Sequence, residues 1–275
     1  MSVDLSVVTA TCRRPALVVE SVRSALAQAG PSIEVLVIDD DPAGSARGPV
    51  EALAAAEGAG RVRYFKADPP SGGVPAVVYN QGLHAAQGAH VIFLDDDDLA
   101  APGAFAALVA SLDEKPERAF AFGLVEPFGG DPEVMLHETA FFVDATARAR
   151  AAWRSGTRFL LAQLIFGESI FVSSSAIFSR TAALAAGGFD PQVRINTAID
   201  LASRLVSDRP WGLVDQVVAR YRIHPDSLIH DQTNQPDLPR SYRAMAAKHR
   251  ARLGLFGWAR FRLYAKRVLS HAAAA

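Results

Sequence analysis

One cysteine, Cys12, stands in a chain of 275 residues. A lone thiol cannot form an intramolecular disulfide, so the core must hold the fold, and a reducing compartment is expected. No apolar run approaches the roughly 20 residues of a membrane-spanning helix. The N-terminus lacks a basic stretch followed by an apolar one, so no secretory signal is expected and the expected location is cytoplasmic. Charge of one sign is lacking as well. Against 29 Asp and Glu stand 28 Lys and Arg, a formal −1 that gives no bulk attraction for nucleic acid or membrane. No G-x-x-x-x-G-K-[ST] loop occurs, which excludes a P-loop nucleotidase. No G-x-G-x-x-G follows the first apolar run, where a dinucleotide fold would need it. Internal repeats and long low-complexity linkers are absent.

Half of the residues are hydrophobic, enough for one large α/β domain or two small ones. The first 125 residues alternate strand and helix. Leu5-Ser6-Val7-Val8-Thr9 reads as a strand, and Pro15 opens a helical segment that Gly30 closes. Residues 33–38 form a second apolar run, ending in Asp39-Asp40-Asp41-Pro42. A helix over 49–57, a strand over 62–65, a helix over 75–86 and a strand over 91–94 come next. Near-continuous Val, Ile and Leu in strands that alternate with helices predict a mostly parallel sheet covered on both faces. Ligands of such sheets bind at the C-terminal ends of the strands. Thr9-Ala10-Thr11, Asp39-Asp40-Asp41 and residues 95–98 all lie at such ends and should line one crevice.

Four aspartates, Asp95, Asp96, Asp97 and Asp98, follow the run Val91-Ile92-Phe93-Leu94. Mutual repulsion makes such a group a poor structural choice, whereas a divalent cation would attract all four and bridge them to a phosphate. A solvated acidic turn before a helix that starts at Pro102 accounts for the same residues. Along extended chain, Asp95 and Asp97 would point one way and Asp96 the other. Asp39 or Asp40 could accept hydrogen bonds from a base or a ribose. These elements together describe a site for a metal–nucleoside diphosphate complex.

The chain resembles the family 2 glycosyltransferases of the GT-A fold. The resemblance starts at Leu5-Ser6-Val7-Val8-Thr9-Ala10-Thr11-Cys12-Arg13-Arg14-Pro15 and continues through Val35-Leu36-Val37-Ile38-Asp39-Asp40 and Asn80-Gln81-Gly82-Leu83. It is most specific at Phe93-Leu94-Asp95-Asp96-Asp97-Asp98 with Pro102, similar to a D-x-D-D strand end. Gly187-Gly188-Phe189-Asp190 resembles a G-G-F-D turn, and Tyr221-Arg222-Ile223-His224-Pro225-Asp226-Ser227 a Y-R-x-H-P-x-S segment. The ordered set carries the resemblance; no single member does.

The resemblance implies a fold and a set of roles. The fold would be α/β, a Rossmann-like, mostly parallel sheet flanked by helices. Residues 1–125 would bind the nucleotide sugar, 126–235 would form the acceptor half, and 236–275 a helical extension. Thr9 and Thr11 would flank the base, Asp40 would bind it, and Asp39 would support the same strand end. Asn80 and Asp96 would assist in binding the donor. Asp95 would lie near ribose and metal, Asp97 would be the principal ligand of a divalent metal (Mn²⁺ or Mg²⁺), and His224 would face it. The donor would be a nucleoside-diphosphate sugar, UDP-sugar favoured, and the acceptor a hydroxyl attacking the anomeric carbon with inversion. Attack requires a general base. The position where the family carries its acid is Ala198, two residues before Asp200-Leu201-Ala202-Ser203-Arg204, and the neighbouring Thr197 is not acidic. Asp200 is the nearest candidate, with Asp190 behind it, although Asp200 also suits an i,i+4 pair with Arg204. A non-catalytic nucleotide-sugar-binding scaffold and a Mg²⁺-dependent nucleotidyltransferase are the rival functions.

Residues 126–172 carry Pro127, Gly129, Gly130 and Pro132 before Trp153 and Phe159, and name no acceptor. From Pro239 the chain is helical and basic, with Leu253, Leu255, Phe256, Trp258, Phe261 and Leu263 interleaved among cations. Packing on the domain, pairing in a homodimer and contact with an anionic membrane are the three expectations for this stretch. Residues 272–275 are expected to fray.

Overall fold

The computed structural model describes residues 3–224 and 237–272. Pro225, Asp226 and Ser227 of the late segment, and the last three alanines, lie outside them. Eight strands form one sheet: β1 (Leu5–Thr11), β2 (Ile33–Asp39), β3 (Val62–Lys66), β4 (His90–Phe93), β5 (Leu99–Ala100), β6 (Phe120–Gly129), β7 (Ala176–Ser179) and β8 (Trp211–Ile223). Their order is β3-β2-β1-β4-β7-β6-β8-β5. The sheet is parallel across β3-β2-β1-β4 and again between β6 and β8, while β7 runs against β4 and β6, and β5 against β8. Expected as mostly parallel, it is mixed in its second half, where α5 and α6 lie between β6 and the reversed strand β7.

Nine helices are described: α1 (Pro15–Leu26), α2 (Arg47–Leu53), α3 (Pro75–Ala85), α4 (Ala104–Asp113), α5 (Pro132–Ser155), α6 (Thr157–Phe166), α7 (Arg180–Ala185), α8 (Thr197–Val206) and α9 (Asp237–Ala272). Side-chain alternation along β1 divides the core. Leu5 and Val7 face one apolar cluster with Val18 and Val22 of α1 and Leu108 of α4. Val8 faces the other, with Leu83 of α3, Phe93, Phe120, Phe122 and Phe178. Both faces are covered, which is why these strands read as continuous apolar runs.

Several boundaries differ from the sequence expectation. Helix α1 ends at Leu26, and Gly30 lies beyond it in the loop with φ of 108°. The segment expected as a helix over 49–57 starts at Arg47 and widens after Leu53 into one π-helical turn, Ala54–Gly58. The acidic tetrad is no strand extension, because β4 stops at Phe93 and the Asp98 N–H donates to the Asp95 carbonyl at 3.2 Å, closing a turn. Strand β5 then intervenes, and α4 starts after Gly103 rather than at Pro102. Helix α5, 24 residues long, was not legible. Its Trp153 packs edge-on against Trp211 of β8, centroids 5.1 Å apart.

The α3–β4 turn is seated on β1 by a buried polar cluster. Ser6 Oγ donates to Glu34 Oε1 at 2.6 Å and accepts the Gly88 N–H at 2.8 Å, while Glu34 also accepts the Gln87 N–H at 2.6 Å. A Cβ at Gly88 would lie 2.6 Å from the Ser6 nitrogen and 2.8 Å from the Leu5 carbonyl carbon, both backbone. Gly88→Ala is therefore expected to cost about 3 kcal/mol, since neither strand can retreat. Chemical denaturation checks this; a loss below about 1 kcal/mol would mean the turn is not packed so closely.

Candidate active site

The C-terminal ends of β1, β2 and β4 meet at one edge of the sheet, and the turn at residues 95–98 stands over it. Thr11, last in β1, donates its hydroxyl to Asp96 Oδ2 at 2.6 Å. Arg14, at the start of α1, reaches Asp96 Oδ1 at 3.3 Å and Asp97 Oδ2 at 2.8 Å through the same Nη1. His224, just past β8, places Nε2 2.9 Å from Asp97 Oδ2. The alternation expected of extended chain is thus replaced by a turn whose two central carboxylates share one guanidinium.

The outer aspartates are anchored. Asp98 is fully buried and accepts the Ser174 hydroxyl at 2.6 Å and the Arg222 N–H at 3.0 Å. Ser174 Oγ also accepts the Asp95 N–H at 3.0 Å, and Tyr79 of α3 donates its hydroxyl to Asp95 Oδ1. Arg222 closes the far side, its Nε donating to the Asp97 carbonyl at 2.8 Å and its Nη2 to Glu20 at 2.6 Å. Burial, followed by the charge of Asp97, pushes the Asp95 carboxyl up to about 7 and that of Asp96 up to about 6. Burial and the neighbouring Asp95 push Asp98 well above the ordinary carboxylate range. Carboxylates crowded in a poorly solvated turn resist full ionisation without added positive charge.

Other expected residues take other places. Thr9 is fully buried on the Leu5–Val7 face of β1, beneath the crevice, and its hydroxyl has no partner. Asp39 is also fully buried and accepts the Asp41 N–H, the Ala46 N–H and the Tyr64 hydroxyl, shaping the loop after β2. Asp40 beside it is part-exposed and accepts the Ser71 N–H and hydroxyl, each at 2.6 Å. Asn80 is not at the acidic turn. Its Nδ2 donates to the Phe189 carbonyl and its Oδ1 accepts the Phe189 N–H, both at 2.8 Å. That clip holds the turn at Gly187 and Gly188, where φ of 81° and 66° requires glycine twice in succession. Phe189 in turn packs edge-on against Phe93 with centroids 4.5 Å apart, tying the turn to β4.

Asp190 and Asp200 form a separate group. Asp200 on α8 is fully buried and accepts Arg204 Nε at 3.0 Å and Lys248 Nζ at 2.7 Å. Lys248 of α9 also pairs with Asp190 at 2.6 Å. Arg204 donates to the carbonyls of Ala186 and Gly188. Burial works to raise the Asp190 carboxyl, but Lys248 and the Gln192 N–H outweigh it, and it lies below its usual value. Thr197 and Ala198, at the position where an acid was sought, are both buried.

Tyr79, Ser174 and Arg222 at the acidic turn were missed by sequence reasoning, and Arg14 was noticed only within the string that runs from Leu5 to Pro15. Arg222 lay within the Tyr-Arg-Ile-His string, while nothing in the sequence singled out Tyr79 or Ser174. Among the described residues, no group of three or more His, Cys, Asp or Glu side chains is gathered to hold a metal ion. Asp97 and His224 make a pair, and Asp95 Oδ1 is engaged by Tyr79. The donor set nonetheless suits Mn²⁺ or Mg²⁺, which are often held by one or two protein ligands with substrate phosphates completing the shell.

A Rossmann-like sheet with an acidic turn at the switch from its parallel to its antiparallel part places this protein among the GT-A glycosyltransferase folds. The profile of glycosyl transferase family 2 matches residues 6–186, about two thirds of the chain, and the chain belongs to that family. The succinoglycan biosynthesis protein ExoO of Rhizobium meliloti is 34% identical over 110 residues, covering 40% of this chain but 30% of that protein. The Staphylococcus aureus TarS 1–349 structure in complex with UDP-GlcNAc superimposes with a TM-score of 0.62 at 16% identity, over 83% of this chain and 61% of that one. The mannosyltransferase PcManGT from Pyrobaculum calidifontis, in complex with GDP-Man and Mn²⁺, gives 0.58 at 16% identity, over all of this chain and 80% of that one. These two likenesses establish the fold. No helix among the described residues is long and apolar enough to cross a membrane.

Proposed function

We propose that the protein transfers a sugar from a nucleoside diphosphate, UDP favoured, to an acceptor hydroxyl in glycan biosynthesis, with inversion and with a divalent metal. The observation that carries the reading is the convergence of Thr11, Arg14, Asp96, Asp97 and His224 at the edge where β1, β2 and β4 end. Family membership and the UDP-GlcNAc and GDP-Man complexes of structures with the same fold support it.

Asp97 and His224 would hold the metal, which when bound would neutralise charge growing on the departing diphosphate. Asp40 is assigned to the base, and Asp39, buried behind it, supports the same strand end. Ser71, on Asp40, is the group that a nucleobase would have to displace or join. Arg14 and Arg222 keep positive charge beside the acidic turn, so the diphosphate meets a surface that is not uniformly negative. Asp190 is the candidate base, because its carboxylate reaches solvent while that of Asp200 does not. Asp200 is assigned as a positioning residue that fixes Lys248 and Arg204 beneath it.

The rival reading, a donor-binding protein without transfer, draws on Ala198 and on the enclosure of Asp200. Incubation with UDP-sugars and Mn²⁺, followed by release of UDP, separates the two: turnover lost in Asp190→Asn favours the transferase, and donor binding without turnover favours the rival. Asn80 is assigned to the Phe189 clip and not to the donor. Asn80→Ala is expected to lower stability by about 2 kcal/mol through two unpaired backbone groups and to leave the UDP dissociation constant unchanged. Weaker UDP binding at unchanged stability would return Asn80 to the donor site.

A further inference from the structure

We infer that the second half of α9 is a docking face for anionic phospholipid bilayers. From residue 238 to the end the sequence holds nine Lys and Arg and no Asp or Glu, while residues 1–237 carry a formal −10. A chain near neutrality thus concentrates its positive charge on one element. That element breaks at Gly254, where φ of 66° and ψ of 174° interrupt the helix and set residues 255–272 apart from its first half.

The helix beyond the break has two apolar faces. One, Trp258, Phe261 and Ala265, packs against Ala162 and Ile165 of α6. The other, Leu255, Phe256, Ala259 and Leu263, faces away from the domain. Phe256 is 84% exposed, Leu263 71% and Leu255 65%, values a core helix would not show. At 100° per residue, Arg262 borders this strip on one side, Arg260 and Arg267 border it on the other, and Lys266 lies towards its C-terminal end. All four cations are exposed.

An apolar strip framed by cations matches the boundary of a bilayer. The strip enters the acyl region while the long basic side chains reach back to phosphate. A second copy is a poorer occupant of this face. Isologous pairing would set this all-cationic helix against itself, and nothing on the helix supplies a counter-charge. The inference does not depend on glycosyl transfer.

Flotation of the full chain with vesicles tests it, without donor or metal present. Partition onto phosphatidylcholine vesicles containing roughly 30 mol% phosphatidylglycerol is expected, weakening as salt rises and much weaker on phosphatidylcholine alone. Leu255→Glu with Phe256→Glu should lower it about tenfold without moving the thermal midpoint, because neither side chain is in the core. A lack of partition, or equal partition onto both vesicles, would overturn the inference. So would partition untouched by the double variant, or a dimer by light scattering that the variant dissolves.

Discussion

Asp97→Ala is expected to lower release of UDP from a UDP-sugar by a factor of about 100 to 1,000, the usual loss when one electrostatic stabiliser of a transition state is removed. The thermal midpoint should move little. Asp97 takes no part in the enclosed half of the turn, where Asp98, Ser174 and Asp95 hold one another. Removing its carboxylate leaves Arg14 paired with Asp96 and frees His224 to solvent. Asp98→Ala, by contrast, takes away the acceptor of both Ser174 and the Arg222 N–H, so it should destabilise the turn itself. Activity assays run beside thermal melts distinguish the two. Retention of more than a tenth of the activity in Asp97→Ala would remove Asp97 from the chemistry.

Asp200→Ala is expected to cost about 3–5 kcal/mol of stability, because it strips the counter-charge from Arg204 and Lys248 at a fully buried position. Arg204 cannot leave without releasing the Ala186 and Gly188 carbonyls, and Lys248 would keep only Asp190. The turn clipped by Asn80 and the seat of α9 should loosen together. Equilibrium denaturation of wild type and variant measures the loss. If stability changed by less than about 0.5 kcal/mol while activity vanished, Asp200 would be a base and not a positioning residue.

The crevice edge was legible because its signals are local. A strand that must be buried on both faces reads as an apolar run, and a polar residue after it reads as a strand-end residue, so the placement of Thr11, Asp40 and Asp97 at one edge of the sheet followed from their own neighbours. The tetrad was visible but not its geometry. Whether chain after a strand stays extended depends on partners such as Ser174, which lies 79 residues from the Asp95 N–H it accepts. The Asn80 clip was hidden for a similar reason: its partner is a turn 109 residues away. Helix α5 was hidden by Pro127, Gly129, Gly130 and Pro132, which end β6 and open the helix and so read together as loop. The Asp190–Lys248–Asp200 group joins α8 to α9 across 48 residues, and only tertiary contact turns an exposed-looking helical pair into a buried one.

The proposed transfer requires the crevice above β1, β2 and β4 to bind a nucleoside diphosphate together with a metal held by Asp97. Calorimetric titration of UDP into the full chain, with Mn²⁺ and again with the metal chelated, tests it most directly. Binding is expected with Mn²⁺, weakening at least about tenfold on chelation and absent in Asp97→Ala. UDP affinity indifferent to both Mn²⁺ and Asp97 would contradict it.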